Sequence, residues 1–155
     1  MPTGPGFDVA AAHRYFSVEC FNRAWDLIDK PDRTPAENEE MVRLSMASTW
    51  HWTQRPDCTQ ENLSVGYWQA SRIFALLGRA GFARRYGQLS LEAARSAGDS
   101  PFYLGYAYEG LARAESVSGH GEKVAEYLAL AREAAGRVPD EEARAALVAD
   151  LETIR

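Results

Sequence analysis

YWQASRIFALLGRA at residues 67–80 and YEGLARAESVSGHG at residues 108–121 decide the fold, because a shift of 41 residues lays the first on the second. In that register Tyr67 falls on Tyr108, Ala70 on Leu111, Ser71 on Ala112, Gly78 on Gly119, Ala83 on Val124, Tyr86 on Tyr127, Ser90 on Ala131 and Ala93 on Ala134. Aromatics, a glycine and small residues that match at a fixed offset are the mark of a repeated helical hairpin, which buries its apolar face only by stacking on its neighbour. The two copies span Tyr67 to Ala135.

Within the first copy, Thr59 reads as the cap of a helix with Leu63, Tyr67, Ala70, Phe74 and Leu77 on one stripe. A second helix, about 81 to 97, presents Ala83, Gly87, Ser90 and Ala94 before Gly98 ends it. Ser100 and Pro101 start the next pair, which turns at Gly119 to Gly121. Upstream, apolar residues recur at helical spacing from Asp8 to Asp29, with Phe16, Cys20, Ala24 and Leu27 on one stripe and Phe21, Trp25 and Ile28 beside it. Thr34, Pro35 and Glu37 write a capping box for a helix to about Arg55, whose small-residue middle admits a close partner. After Pro139, a last helix is expected to place Leu147, Val148, Leu151 and Ile154 inward and Glu141, Arg144, Asp150 and Glu152 outward. No alternating run of strand length competes.

The expectation is therefore an all-α domain of about seven helices, antiparallel hairpins closed by a C-terminal capping helix. It covers 7–155 as a single domain, behind a loose tail over 1–6 that carries two prolines and two glycines. With 155 residues, 46% of them apolar, a sizeable core is affordable. Seventeen basic residues scattered among 22 acidic ones, a formal charge of −5, argue against a nucleic-acid surface. Neither a secretory leader nor an apolar run of about 18 residues is present, so no membrane contact and a cytoplasmic location are expected. Cys20 and Cys58 are expected to be free thiols.

The matched positions resemble the tetratricopeptide repeat. Tyr67 and Tyr108 take that family's early aromatic position, Ser71 and Ala112 its small position, Gly78 and Gly119 its turn, and Ala83, Val124, Ser90 and Ala131 the small positions of its second helix. The period of 41 exceeds the usual repeat of about 34. Gly87 stands where the family has an aromatic, and Glu115 replaces the aromatic that Phe74 supplies in the first copy. The strings SMASTWHW, YWQASRIFALLGRA and AYEGLARAES also resemble a family of small uncharacterised bacterial all-helical proteins, from which no activity carries over.

The tetratricopeptide resemblance implies a short right-handed superhelix whose first helices line a groove for a peptide. Its groove positions fall on Val65, Trp68 and Arg72 and on Tyr106, Glu109 and Arg113. Aromatics and arginines there suit an anchored acidic segment. Equally, Arg72, Glu109 and Arg113 pair with one another for structural reasons. Trp68 and Arg72 are one turn apart and within reach of a cation–ring stack.

If the first two helices fold back near Asp32, His13 and His51 reach one height, and Glu19 or Glu109 would complete a two-histidine, one-carboxylate metal set. Histidines satisfied by Ser, Tyr or Trp neighbours are the plainer reading, and His120 between glycines reads as a turn residue. No phosphate loop, nucleophile elbow or Cys–His arrangement is present, so no cofactor and no catalytic residue is expected. The functional expectation is a non-enzymatic module that binds a protein or peptide segment or another copy of itself. The alternative is a small helical enzyme or ligand- or metal-binding protein with a polar pocket between the first, second and fifth helices.

Overall fold

The computed structural model describes residues 4–155, and every regular element among them is an α-helix: α1 Val9–Ile28, α2 Pro35–Thr53, α3 Gln60–Leu76, α4 Ala80–Ser96, α5 Pro101–Ser118, α6 Gly121–Gly136 and α7 Glu141–Glu152. Residues 4–7 are non-helical, and the first three residues of the expected tail lie outside the described residues. The chain divides after Cys58 into two compact units.

In the first unit, Asp8 caps α1 by accepting from the Ala11 N–H at 3.0 Å, and Thr34 and Glu37 close the expected capping box on α2. The stop of α1 has a device that the sequence reading missed. Arg33 donates through Nη1 to the carbonyls of Leu27, Ile28 and Lys30, satisfying acceptors that a helix end leaves orphaned. Small polar side chains bring α1 and α2 together. Ser17, Ser45 and Ser48 are all buried, and Ser48 Oγ donates to the Ser17 carbonyl at 2.6 Å. The buried stripe of α1 is Ser17, Cys20, Ala24 and Ile28. Phe16, expected on it, is 43% exposed, because the stripe passes through Ser17 instead.

In the second unit, Thr59 caps α3 with Asn62 reciprocating. The matched glycines Gly78 and Gly119 both take left-handed backbone, φ 69° and 76°, that a Cβ would strain. Ser100 makes no side-chain cap bond, and Pro101 alone marks the start of α5. Antiparallel packing of α3 on α4 is fixed by two buried serine contacts seven residues apart on each helix. Ser64 Oγ donates to the Ser90 carbonyl at 3.0 Å and Ser71 Oγ to the Ala83 carbonyl at 2.8 Å. Equivalent aromatic pairs recur in both hairpins: the Tyr67 and Tyr86 rings are 6.2 Å apart, those of Tyr108 and Tyr127 6.3 Å.

Two absent side chains let the helices close up. A Cβ on Gly87 would meet Leu111 Cδ2 at 2.8 Å, which explains why no aromatic stands there: Leu111 already fills that space. A Cβ on Gly105 would meet Leu147 Cδ2 at 2.5 Å, so α7 docks into a notch on α5. Leu147, Leu151 and Ile154 then bury against Ala112, Ala131 and Ala135, each worth about 1.5–3 kcal/mol of apolar transfer. Val148, expected inward, is 38% exposed, and Asp150, expected outward, is half-buried. The 147–151–154 stripe sets the rotation of α7, which turns 148 away and leaves 150 on its inner flank.

Gly105→Val overfills the notch, and its expected cost is about 2 kcal/mol in urea unfolding. Combined with Leu147→Ala, which vacates the same space, the double variant is less destabilised than the sum of the two single changes.

Candidate functional site

At equivalent positions of the two matched hairpins stand Trp68 on α3 and Glu109 on α5, and they touch. Trp68 Nε1 donates to Glu109 Oε2 at 2.6 Å. Glu109 is fully buried. A carboxylate in that place costs several kcal/mol unless its oxygens are taken, and they are. Arg113, one turn on, donates through Nε to Glu109 Oε1, and Arg72 Nη1 stands 3.6 Å from the same oxygen. The two arginines, themselves equivalent in the repeat register, thus converge on one acid.

The C-terminal helix completes the cluster. Arg72 Nη1 lies 3.7 Å from Asp150 Oδ1, and the Tyr106 hydroxyl donates to Asp150 Oδ2 at 3.0 Å. Arg113 Nη2 donates to the Asp150 carbonyl at 3.0 Å and to Thr153 Oγ1 at 2.6 Å. Burial, then the neighbouring Asp150 carboxylate, raises the Tyr106 hydroxyl pKa above its ordinary value and keeps it a donor. The Trp68 and Tyr106 rings meet edge to face at 4.9 Å, and Gly110 admits Trp68, whose Cδ1 would lie 3.3 Å from a Cβ there.

Of the six expected groove residues, the structure therefore brings Trp68, Arg72, Tyr106, Glu109 and Arg113 into one network, while Val65 is half-buried on the same helix as Trp68. Glu109 presents no surface to a ligand. What stays accessible is the rim, where a cavity of about 190 Å³ is bounded by Arg72, Leu76, Arg113, Val117, Thr153 and Ile154 among others. Leu76 and Val117 are 47% and 41% exposed beside it.

The Phe74-to-Glu115 difference between the copies has a structural counterpart. Phe74 stacks on Phe82 and Tyr86 at 5.1 and 5.6 Å. Glu115 is instead gripped by Arg84 of α4, Nε to Oε1 at 2.6 Å, and by His120 Nδ1 at 2.8 Å. His120 is thus the partner of an acid as well as a turn residue. The Arg84 hydrogen bond, and after it the His120 contact, hold the Glu115 carboxyl below its ordinary range against the opposing effect of burial.

In the first unit, His13 Nδ1 and His51 Nδ1 are 2.8 Å apart, with the Trp50 ring centroid 5.4 Å from His13 and that of Phe16 5.5 Å from His51. Glu19 does not join them: among the described residues no three His, Cys, Asp or Glu side chains come together as a metal set. Trp50 is 55% exposed, and the half-buried Trp52 carries the Arg55 guanidinium 3.8 Å above its ring. Cys20 and Cys58 are free, and burial raises both thiols, which disfavours the nucleophilic thiolate. Among the described residues no helix is long and apolar enough to cross a membrane.

The chain matches no family model, no curated protein and no solved structure.

Glu109→Ala strips two arginines and an indole N–H of their shared acceptor, and its expected cost is about 3–5 kcal/mol in urea unfolding. Trp68→Phe, which leaves the charges paired but takes the indole donor from the buried Oε2, costs about 2–3 kcal/mol. Because the Glu115 pKa is depressed, its contribution to stability is complete above the ordinary glutamate value of about 4.3 and is lost as pH falls through the lower folded value. Unfolding followed from pH 6 to pH 3 shows this loss in the wild type and a shallower one in Arg84→Met.

Proposed function

We propose that the chain is a non-enzymatic, tetratricopeptide-like interaction module, cytoplasmic and of bacterial type, that binds a protein segment at the rim shared by α3, α5 and the end of α7. The observation that carries this reading is the rim cavity, where two internally braced arginines stand beside exposed Leu76 and Val117. Such a mixture suits a segment that offers an apolar anchor flanked by hydrogen-bond acceptors. Bracing by Glu109 fixes both guanidinium groups in advance, so less side-chain entropy is lost on binding. The recurrence of the tyrosine pair and of the glycine turn at the 41-residue offset supports reading α3 to α6 as two copies of one repeat, and a superhelical stack with them. No constellation of nucleophile, base and oxyanion donors among the described residues favours a reaction.

Selection from a random-peptide display library tests the reading. The wild type is expected to enrich a consensus containing an aliphatic residue, and Leu76→Glu with Val117→Glu, both at exposed positions, to lose it. No enrichment, or enrichment that the double variant retains, overturns the proposal.

A further inference from the structure

The His13–His51 contact does something that neither the scaffold nor the rim requires. A 2.8 Å approach between two Nδ1 atoms is a hydrogen bond only if one nitrogen carries a proton and the other does not. The pair therefore closes when both rings are neutral, with one tautomer donating to the other. It also closes when one ring is cationic and donates to a neutral neighbour. With both rings protonated, two N–H groups and two positive charges would point at each other across a ring separation of 5.0 Å, and the bond is lost.

We propose that His13 and His51 form a proton-operated clasp across the α1–α2 hairpin, closed with up to one excess proton and released by the second. Its place in the hairpin suits that role. His13 stands in the second turn of α1 and His51 in the last turn of α2, so the clasp ties the end opposite the Asp29–Thr34 turn, where no covalent connection holds the two helices. The next tie inward is the Ser48 to Ser17 bond, one turn away on each helix.

The rings around the pair are Phe16 on α1 and Trp50 on α2, both uncharged, and both about half exposed. Of the charged groups at this end of the hairpin, Arg55 binds Asp57 and also donates to Ser17 Oγ at 2.9 Å, the charge of Arg14 acts on the Asp57 carboxylate, and that of Glu19 acts on the Cys20 thiol. The causes that lower the His51 pKa are burial first and the charge of His13 second, with no carboxylate opposing them. The sign follows: a depressed imidazole contributes stability that is whole above the ordinary histidine value of about 6.5 and is lost as pH falls below it. Release frees the Phe16 and Trp50 rings that pack on the closed pair, so acid loosens this end of the hairpin while the turn end stays capped.

The test is an NMR titration of the intact chain between pH 8 and pH 4.5, which follows the imidazole ring signals and the exchange of the α1 and α2 amides, corrected for intrinsic rates. The expected result is two coupled steps, the second below 6.5, with amide protection beside His13 and His51 falling at least tenfold at that step and protection near Arg33 unchanged. His51→Asn keeps a polar side chain that does not titrate, and it flattens the protection profile. His13→Asn does the same and serves if the first variant folds poorly. Independent titration of the two rings at ordinary values overturns the clasp, and so does a loss of protection that persists in both variants.

Discussion

The second unit depends on a carboxylate that water does not reach. Glu109 sits on α5 with no exposed surface, and its two oxygens are held by Trp68 from α3, by Arg113 from its own helix and by Arg72 from α3. The same arginines reach on to Asp150 and Thr153 at the end of α7. A buried acid of this kind is weak evidence of net stability, since well-packed apolar residues often do as well. Its consequence is geometric. Oxygens that must be satisfied tolerate few alternative placements of the helices that satisfy them, so α3, α5 and α7 are held in one register.

Around that constraint the packing is permissive. Alanines and serines line most helix contacts, Gly87 and Gly105 admit Leu111 and Leu147, and the tyrosine pairs fill what remains. Small residues bring backbones close but specify position weakly, because many offsets pack alike. The directional bonds supply what the small residues cannot: Ser64 and Ser71 for α3 on α4, Arg84 to Glu115 for α4 on α5, and Glu109 for α3, α5 and α7. Each polar tie links the packing of apolar faces to one definite arrangement.

Helix positions were legible because capping and periodicity are local: Thr34, Thr59, Gly78 and Gly119 act within a few residues of themselves. Trp68, Arg72, Tyr106, Glu109 and Arg113 were legible too, as the groove positions that the tetratricopeptide resemblance implies, with Arg72, Glu109 and Arg113 already within reach of one another. What periodicity does not carry is which flank of a helix another element covers. Asp150 was expected on the outer face of α7 and lies against Arg72 and Tyr106, because the rotation of α7 is set by Leu147 in the Gly105 notch. Glu115 was visible as a break in the repeat, yet its partner Arg84 belongs to a different hairpin and no short-range rule points to it. The rim cavity has the same origin: Leu76 and Val117 sit at positions that read as ordinary apolar residues until the neighbouring helices leave them uncovered.

One buried acid ties α7 to α3 and α5 through the two arginines, and native-state hydrogen exchange of Glu109→Gln measures that tie most directly. The amide keeps the shape and removes the charge that both arginines share. The amides of α7, Glu141–Glu152, are expected to lose protection well beyond those of α4 and α6. Protection in α7 that equals the wild type, or that falls only in step with the whole chain, would contradict it.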